Sequence, residues 1–215
     1  MSEDEWLNDP TPESALRWLR GRSDRGFPEF ARRKARLLAC ACCRLRWQEL
    51  DELQREAVSY AEQVADGAPL SGERLTELTR ALFEANGRPG QYTPARAAPL
   101  WLLRGVGNDW SSDFRIPDVW WLTVAGGEGR ALLHCLLGDL SPPRALAPAI
   151  RAWDGGKVVK VATPIYEGHR FEDMPLLGDV LEEAGCQGPA LLAHCRGPGP
   201  HARGCHVLDA ALGRA

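Results

Sequence analysis

The stretch Ala35-Arg36-Leu37-Leu38-Ala39-Cys40-Ala41-Cys42-Cys43-Arg44-Leu45 decides the fold class. Its residues Ala35, Leu38, Cys42 and Leu45 return at steps of three and four, the spacing that lays an apolar stripe along an α-helix. The same steps continue through Leu50, Leu53, Ala57, Tyr60 and Val64. A helical run is therefore expected from Glu29 to Ala65, either unbroken or as two helices joined near Trp47, with Asp66-Gly67 as its stop. Upstream, Thr11-Pro12-Glu13 reads as a cap, a first-turn proline and an early acid, opening a short helix that Gly21 closes. Downstream, Ser71 caps a helix that runs to about Ala85 before Asn86-Gly87.

Further helices are expected at Gly129–Leu137, with Leu132, Leu133, Leu136 and Leu137 inside, and His134 and Cys135 read as core residues among them. Lys157 to Glu167 is rich enough in β-branched residues for a strand, but the spacing of Val158, Val161, Ala162 and Ile165 favours a helix. Three more helices follow, from Met174-Pro175 to Ala184, from Pro189 to Arg196 and from His201 to Leu212. Between Arg88 and Asp118 prolines and glycines interrupt every pattern while Trp101, Trp110, Trp120 and Trp121 add large apolar surface. Such a segment is a packed excursion or an exposed binding surface. For the second case the candidates are Trp110, Trp120 and Trp121. The expected fold is mainly α, bundle-like, divided into an N-terminal helical region (1–87), an irregular Trp-rich middle (88–140) and a helical Cys/His-rich C-terminal module (141–215), or merged into one compact domain.

Composition narrows the function classes. The 215 residues carry a net charge of −3, with 26 basic and 29 acidic side chains, so no electrostatic footprint for nucleic acid or anionic lipid stands out. The basic run Arg32 to Arg36 has acids within two turns and reads as the solvated face of a helix. An acidic start without an apolar core argues against a signal peptide, and no stretch approaches the ~20 apolar residues of a membrane span. Seven cysteines form an odd set. Cys40, Cys42 and Cys43 crowd one helical turn and are poorly placed to pair. A cytoplasmic protein with reduced thiols is the expectation.

The segment from Cys186 to His206 is the one chemically pointed feature. It holds six thiol or imidazole side chains in 21 residues, while the whole chain has only 7 Cys and 5 His. Zinc takes four such ligands in a tetrahedron. His201 and Cys205 would lie one helical turn apart and face one point. His194 ends the preceding helix, and Cys186 sits in a helix–helix turn. Cys186, His194, His201 and Cys205 are thus the candidate zinc ligands, with Cys195 and His206 as alternates. No paired C-x₂-C spacing marks the set, and buried cysteines beside helix-capping histidines are the competing reading. A complete protein shell would make any such zinc structural, since no position stays open for water. Elsewhere, Cys43 follows the helix surface next to Arg36, Arg44 and Arg46, charges that would lower a thiol pKa and make it a candidate reactive nucleophile. Gly126-Gly127-Glu128-Gly129 lacks the remainder of a phosphate-binding loop. The helix pair from Met174 to Arg196 has helix-turn-helix proportions, but only Arg196 is basic on its second helix.

Two parts of the chain resemble a large family of uncharacterised bacterial proteins. The N-terminal match comprises Trp6, Leu19 to Gly21, Ser23 to Arg25, Leu37 to Arg44, Ala61-Glu62 and Ala65 to Gly67. The C-terminal match runs through Val158-Val159, Ile165-Tyr166, Phe171, Met174-Pro175, Leu181 to Cys186, Leu192 to His201, Arg203 to Cys205 and Asp209. Members are sometimes labelled as cell-wall-assembly-regulator-like or immunity-like. The resemblance implies an architecture of two helical parts around a variable middle, and no catalytic residue. His206 departs from the tryptophan usual there, as an added ligand or a lost core aromatic. The expected function is a non-catalytic protein-interaction or regulatory module with a structural zinc, its partner another protein. The alternatives are a thiol- or metal-dependent enzyme using Cys43 or the C-terminal cluster, and a nucleic-acid-binding helical protein.

Overall fold

A computed structural model of the chain describes residues 29–86, 97–100, 102–103, 128–138 and 146–214, with backbone alone at 29–32 and 130. Every regular element among these residues is helical, so the mainly α architecture expected from the spacing is the one observed. The helix expected between Thr11 and Gly21, and Trp101, Trp110, Trp120 and Trp121, lie outside the described residues. The chain forms two compact units, 1–130 and 131–215. The dividing point falls inside a helix, ahead of Cys135, and places that residue with the C-terminal unit instead of the middle region.

In the first unit, α1 (Glu29–Leu45) packs on α2 (Glu52–Ala65), with a short 3₁₀ turn at Trp47–Glu49 between them. The break near Trp47 has a local cause. The Asp51 carboxylate accepts from the Gln54 amide N–H at 2.9 Å, and the Gln54 side chain accepts from the Asp51 N–H at 3.0 Å. This reciprocal capping box satisfies two amide donors that a new helix would leave bare. Helix α3 (Gly72–Asn86) then packs on α2. As expected, Ser71 caps it, accepting from the Arg74 N–H through Oγ at 3.2 Å.

The environment of α1 departs from the expected single stripe. Every residue from Leu37 to Cys43 is buried, the pattern of a helix covered all round. The basic run ahead of it is not a solvated face either, because Lys34 is buried and Arg33 pairs with Asp66 at 2.9 Å. On α2 the buried face runs through Gln54, Ala57, Val58, Ala61, Glu62, Val64 and Ala65, so Ala57 and Val64 of the expected stripe are covered while Leu53 and Tyr60 stand at intermediate exposure. Two polar interactions account for that rotation. The Arg44 guanidinium grips the buried Glu62 carboxylate with two hydrogen bonds, 2.6 and 2.7 Å long. Tyr60 leaves the core to bond the Ser71 backbone at both N–H and C=O.

In the second unit, α4 (Glu128–Leu137) contributes its residues from Ala131 onward and stops at Gly138, where φ is +61°. Helix α5 (Pro148–Gly168) contains a left-handed break at Asp154, Gly155 and Gly156, so its regular part starts at Lys157, where the sequence placed it. Helices α6 (Met174–Glu183), α7 (Pro189–Arg196) and α8 (His206–Leu212) complete the unit, with α6 packed on α5 and α7, and α8 on α5. Gly178 lets α6 and α7 meet, since a Cβ there would lie 3.0 Å from the Cys195 Cβ. Arg151 closes α8 by donating to the carbonyls of Ala211 and Leu212 at 3.1 and 3.2 Å.

Losing two charge-assisted hydrogen bonds to a buried carboxylate costs about 3 kcal/mol. The Glu62 side chain is 2% exposed and that of Arg44 23%, and Arg44 also lies 4.2 Å from the centre of the Trp47 ring. Arg44→Met should therefore destabilise the fold by about 3 kcal/mol in urea unfolding. Glu62→Gln should lose less, since Arg44 keeps both its aromatic contact and access to water.

Candidate metal centre

Four side chains of the second unit converge on one point. Cys135 lies on the last turn of α4, His194 on the last turn of α7, His201 in the connector beyond it, and Cys205 at the N-cap of α8. Their ligand atoms all lie within 4.8 Å of one another, with both cysteines buried and both histidines half-buried. His194 Nε2 is 3.3 Å from Cys205 Sγ. The rings of His194 and His201 stand edge to face at 4.8 Å between centroids. This Cys/His group can hold a metal ion.

The connector is shaped by glycines. His201 and Cys205 do not share a helical turn, because Gly204 at φ +84° takes the chain out of helical space. The last helix begins at His206 instead of His201, with Cys205 at φ −47° and ψ 132° as its N-cap. The two ligands still converge, through a loop instead of a helix face. Arg203 anchors that loop by laying its guanidinium 4.8 Å from the centre of the buried Tyr166 ring on α5.

Hydrogen bonding indicates which imidazole nitrogens face the centre. The His201 Nε2 lies 3.3 Å from the Gly197 carbonyl, and a carbonyl only accepts, so Nε2 carries the proton of that bond. The remaining nitrogen, Nδ1, is buried without a hydrogen-bond partner. A buried lone pair with no donor is unfavourable in a protein interior and is what a metal would satisfy. Burial alone would raise the Cys205 thiol. The polar groups of Cys135, His194 and His201 around it, with the charge of His194, outweigh burial and hold it well below the ordinary thiol range.

The remaining residues singled out by sequence go elsewhere. Cys186 is outside the group. Its N–H reaches the Leu181 carbonyl at 2.9 Å and the Gly185 N–H reaches that of Glu182 at 3.0 Å, which makes Cys186 the closing residue of a Schellman turn after α6. Cys195 is also outside it, turned toward Gly178. Burial first, then the charges of Cys205 and Cys186, pushes the Cys195 thiol up to about 12. His206 donates from Nδ1 to the Cys135 carbonyl at 2.9 Å and is no member of the group. The member of the group that the sequence did not single out is Cys135, which lies among leucines and carries the same signal there as any core thiol.

The lowered pKa expected for Cys43 is not found. Its thiol is fully buried, and burial, followed by the neighbouring Cys42 and Glu62, raises it far above the ordinary value despite Arg44. The Arg44 charge is engaged with Glu62. Compared with known proteins, the chain matches no family model, no curated protein and no solved structure. The thiol environment predicts a labelling pattern. In the folded protein at neutral pH, iodoacetamide should leave Cys40 and Cys43 unmodified, and peptide mass mapping should show them alkylated only after denaturation. Rapid native labelling of Cys43 would contradict its buried, protonated state.

Proposed function

We propose that the C-terminal unit binds one zinc ion through Cys135, His194, His201 and Cys205, and that the protein works as a non-catalytic, metal-braced module that engages another protein. The observation that carries this reading is the mutual approach of four ligand atoms within 4.8 Å, supported by the orphaned Nδ1 of His201. Zinc–ligand bonds of about 2.0–2.3 Å place neighbouring ligands of a tetrahedron roughly 3.3–3.8 Å apart. The 3.3 Å between His194 and Cys205 is already such an edge. Two thiolates with two imidazoles suit zinc better than calcium or magnesium, which prefer oxygen.

A structural role follows from the donor count. Four protein ligands complete a tetrahedron and leave no position for a substrate or an activated water. The ion would tie α4, α7, the connector and α8 together. Thiol chemistry at Cys43 has little support in a sealed, protonated side chain. Among the described residues no helix is long and apolar enough to cross a membrane, and a partner in the aqueous phase fits that.

Elemental analysis of tag-free protein should find one zinc per chain. Cys135→Ala and Cys205→Ala should abolish it and lower the melting temperature, whereas Cys186→Ala should keep it. Zinc retained by Cys135→Ala and lost by Cys186→Ala would replace this ligand set with the other one. Metal-free wild-type protein would sink the zinc reading altogether.

The pH dependence has a definite sign. Ligands must be unprotonated to bind, and the Cys205 thiol is depressed in the fold. Zinc should therefore be held at neutral pH and released as acid protonates the imidazoles and thiolates. A chromophoric zinc indicator would follow that release. Retention of zinc far below the imidazole range of about 6.5 would argue against histidine ligands.

A further inference from the structure

We infer that His206 is the positioning residue of this metal centre, a side chain that binds no metal itself but holds Cys135 where a metal can reach it. The inference rests on the zinc reading above.

Of the four ligands, Cys135 is the remote one. The other three lie between 194 and 205, within one short stretch of chain, while Cys135 comes from a separate helix. Something must fix α4 against the C-terminal segment before a metal arrives, because a flexible ligand has to be ordered at the moment of binding. His206 follows Cys205 directly and touches both other sides of the centre. Its Nδ1–H donates to the Cys135 carbonyl at 2.9 Å, and the geometry fixes the direction of that bond, since the carbonyl has no proton to give. Its ring also packs on the ligand His194, 4.5 Å between centroids and tilted by 53°. One side chain thus joins the backbone of Cys135, the ring of His194 and, through the chain, Cys205.

The fold leaves room for this contact at Gly138. A Cβ there would stand 3.0 Å from Cδ2 and 3.1 Å from Cγ of His206. That position also has φ +61°, which side chains other than glycine seldom adopt. Gly138 therefore ends α4 and at the same time admits the imidazole to the Cys135 carbonyl. Groups that orient metal ligands in this way typically contribute ~10–100-fold to affinity.

The test uses the full chain and zinc competed against a chromophoric chelator, with cobalt as a spectroscopic probe. His206→Phe keeps a ring on His194 but cannot donate. It should bind one zinc per chain ~10–100-fold more weakly and keep the thiolate-to-cobalt absorption of two cysteines. His206→Asn places an amide N–H where Nδ1 stood and should recover most of that loss, a rescue that a purely space-filling role would not give. Gly138→Ala, which pushes the ring away while keeping the donor, should weaken binding in the same direction and serves if the phenylalanine variant does not fold. Wild-type affinity in His206→Phe would overturn the inference, as would His206→Asn no better than His206→Phe. A loss of one nitrogen ligand from the zinc X-ray absorption spectrum of His206→Phe would make His206 a ligand and overturn it too. If wild-type protein binds no zinc, the zinc reading fails and takes this inference with it. Wild-type binding with unaltered variants removes the inference alone.

Discussion

The junction between α4 and the C-terminal segment governs the chemistry of the second unit. His206 and Cys135 are 71 residues apart in sequence, and a single 2.9 Å hydrogen bond joins the ring of one to the carbonyl of the other. Closing so long a loop has an entropic cost that grows only slowly with length, so burial of the four leucines around Cys135 can offset it. Leu132, Leu133, Leu136 and Leu137 are all buried, and their packing brings the Cys135 thiol to the group it forms with His194, His201 and Cys205. Hydrophobic burial therefore supplies the position, and the polar contact supplies the orientation.

The seven cysteines show how strongly environment separates identical side chains. All are buried free thiols. Cys40 and Cys43 sit in a helix covered on every side and are driven toward the neutral form by burial. Cys195, one residue from a ligand, is turned toward Gly178 and is also raised. Cys186 closes a helix. At Cys205, by contrast, polar neighbours outweigh burial and hold the thiol below its ordinary range. A charged form in a protein interior requires compensation, and Cys135, His194 and His201 are the groups that favour it here.

The first unit relies on a different kind of buried polarity. Small residues line α1 and α2, and Ala35, Ala39, Ala57 and Ala61 are almost wholly covered. Small side chains let the two helices approach closely, and Leu37, Leu38, Leu50, Val58, Leu78 and Leu82 form an apolar core in the space around them. The charged pair of Arg44 and Glu62 fills part of that space. Such a pair restricts how the two helices can dock, because sliding either one would strand a buried charge.

Much of the local structure was legible in the residues themselves. The breaks at Trp47, Gly67 and Gly185, the cap at Ser71, and the helical reading of Lys157 to Glu167 all depend on neighbours a few positions away. Backbone sterics and capping are local physics, so sequence carries them directly. Three members of the Cys/His group that can hold a metal, His194, His201 and Cys205, were legible for the same reason, since they crowd one short segment. What only the tertiary structure decided is which residues meet from afar. The entry of Cys135 into the Cys/His group and the place of Cys186 outside it, the burial of Lys34 and Glu62, and the raised thiol of Cys43 all depend on partners 18 or more residues away or on covering chain. A cysteine among leucines reads the same whether it only packs or also joins a polar group, and only the fold brings two imidazoles and a second thiol to Cys135.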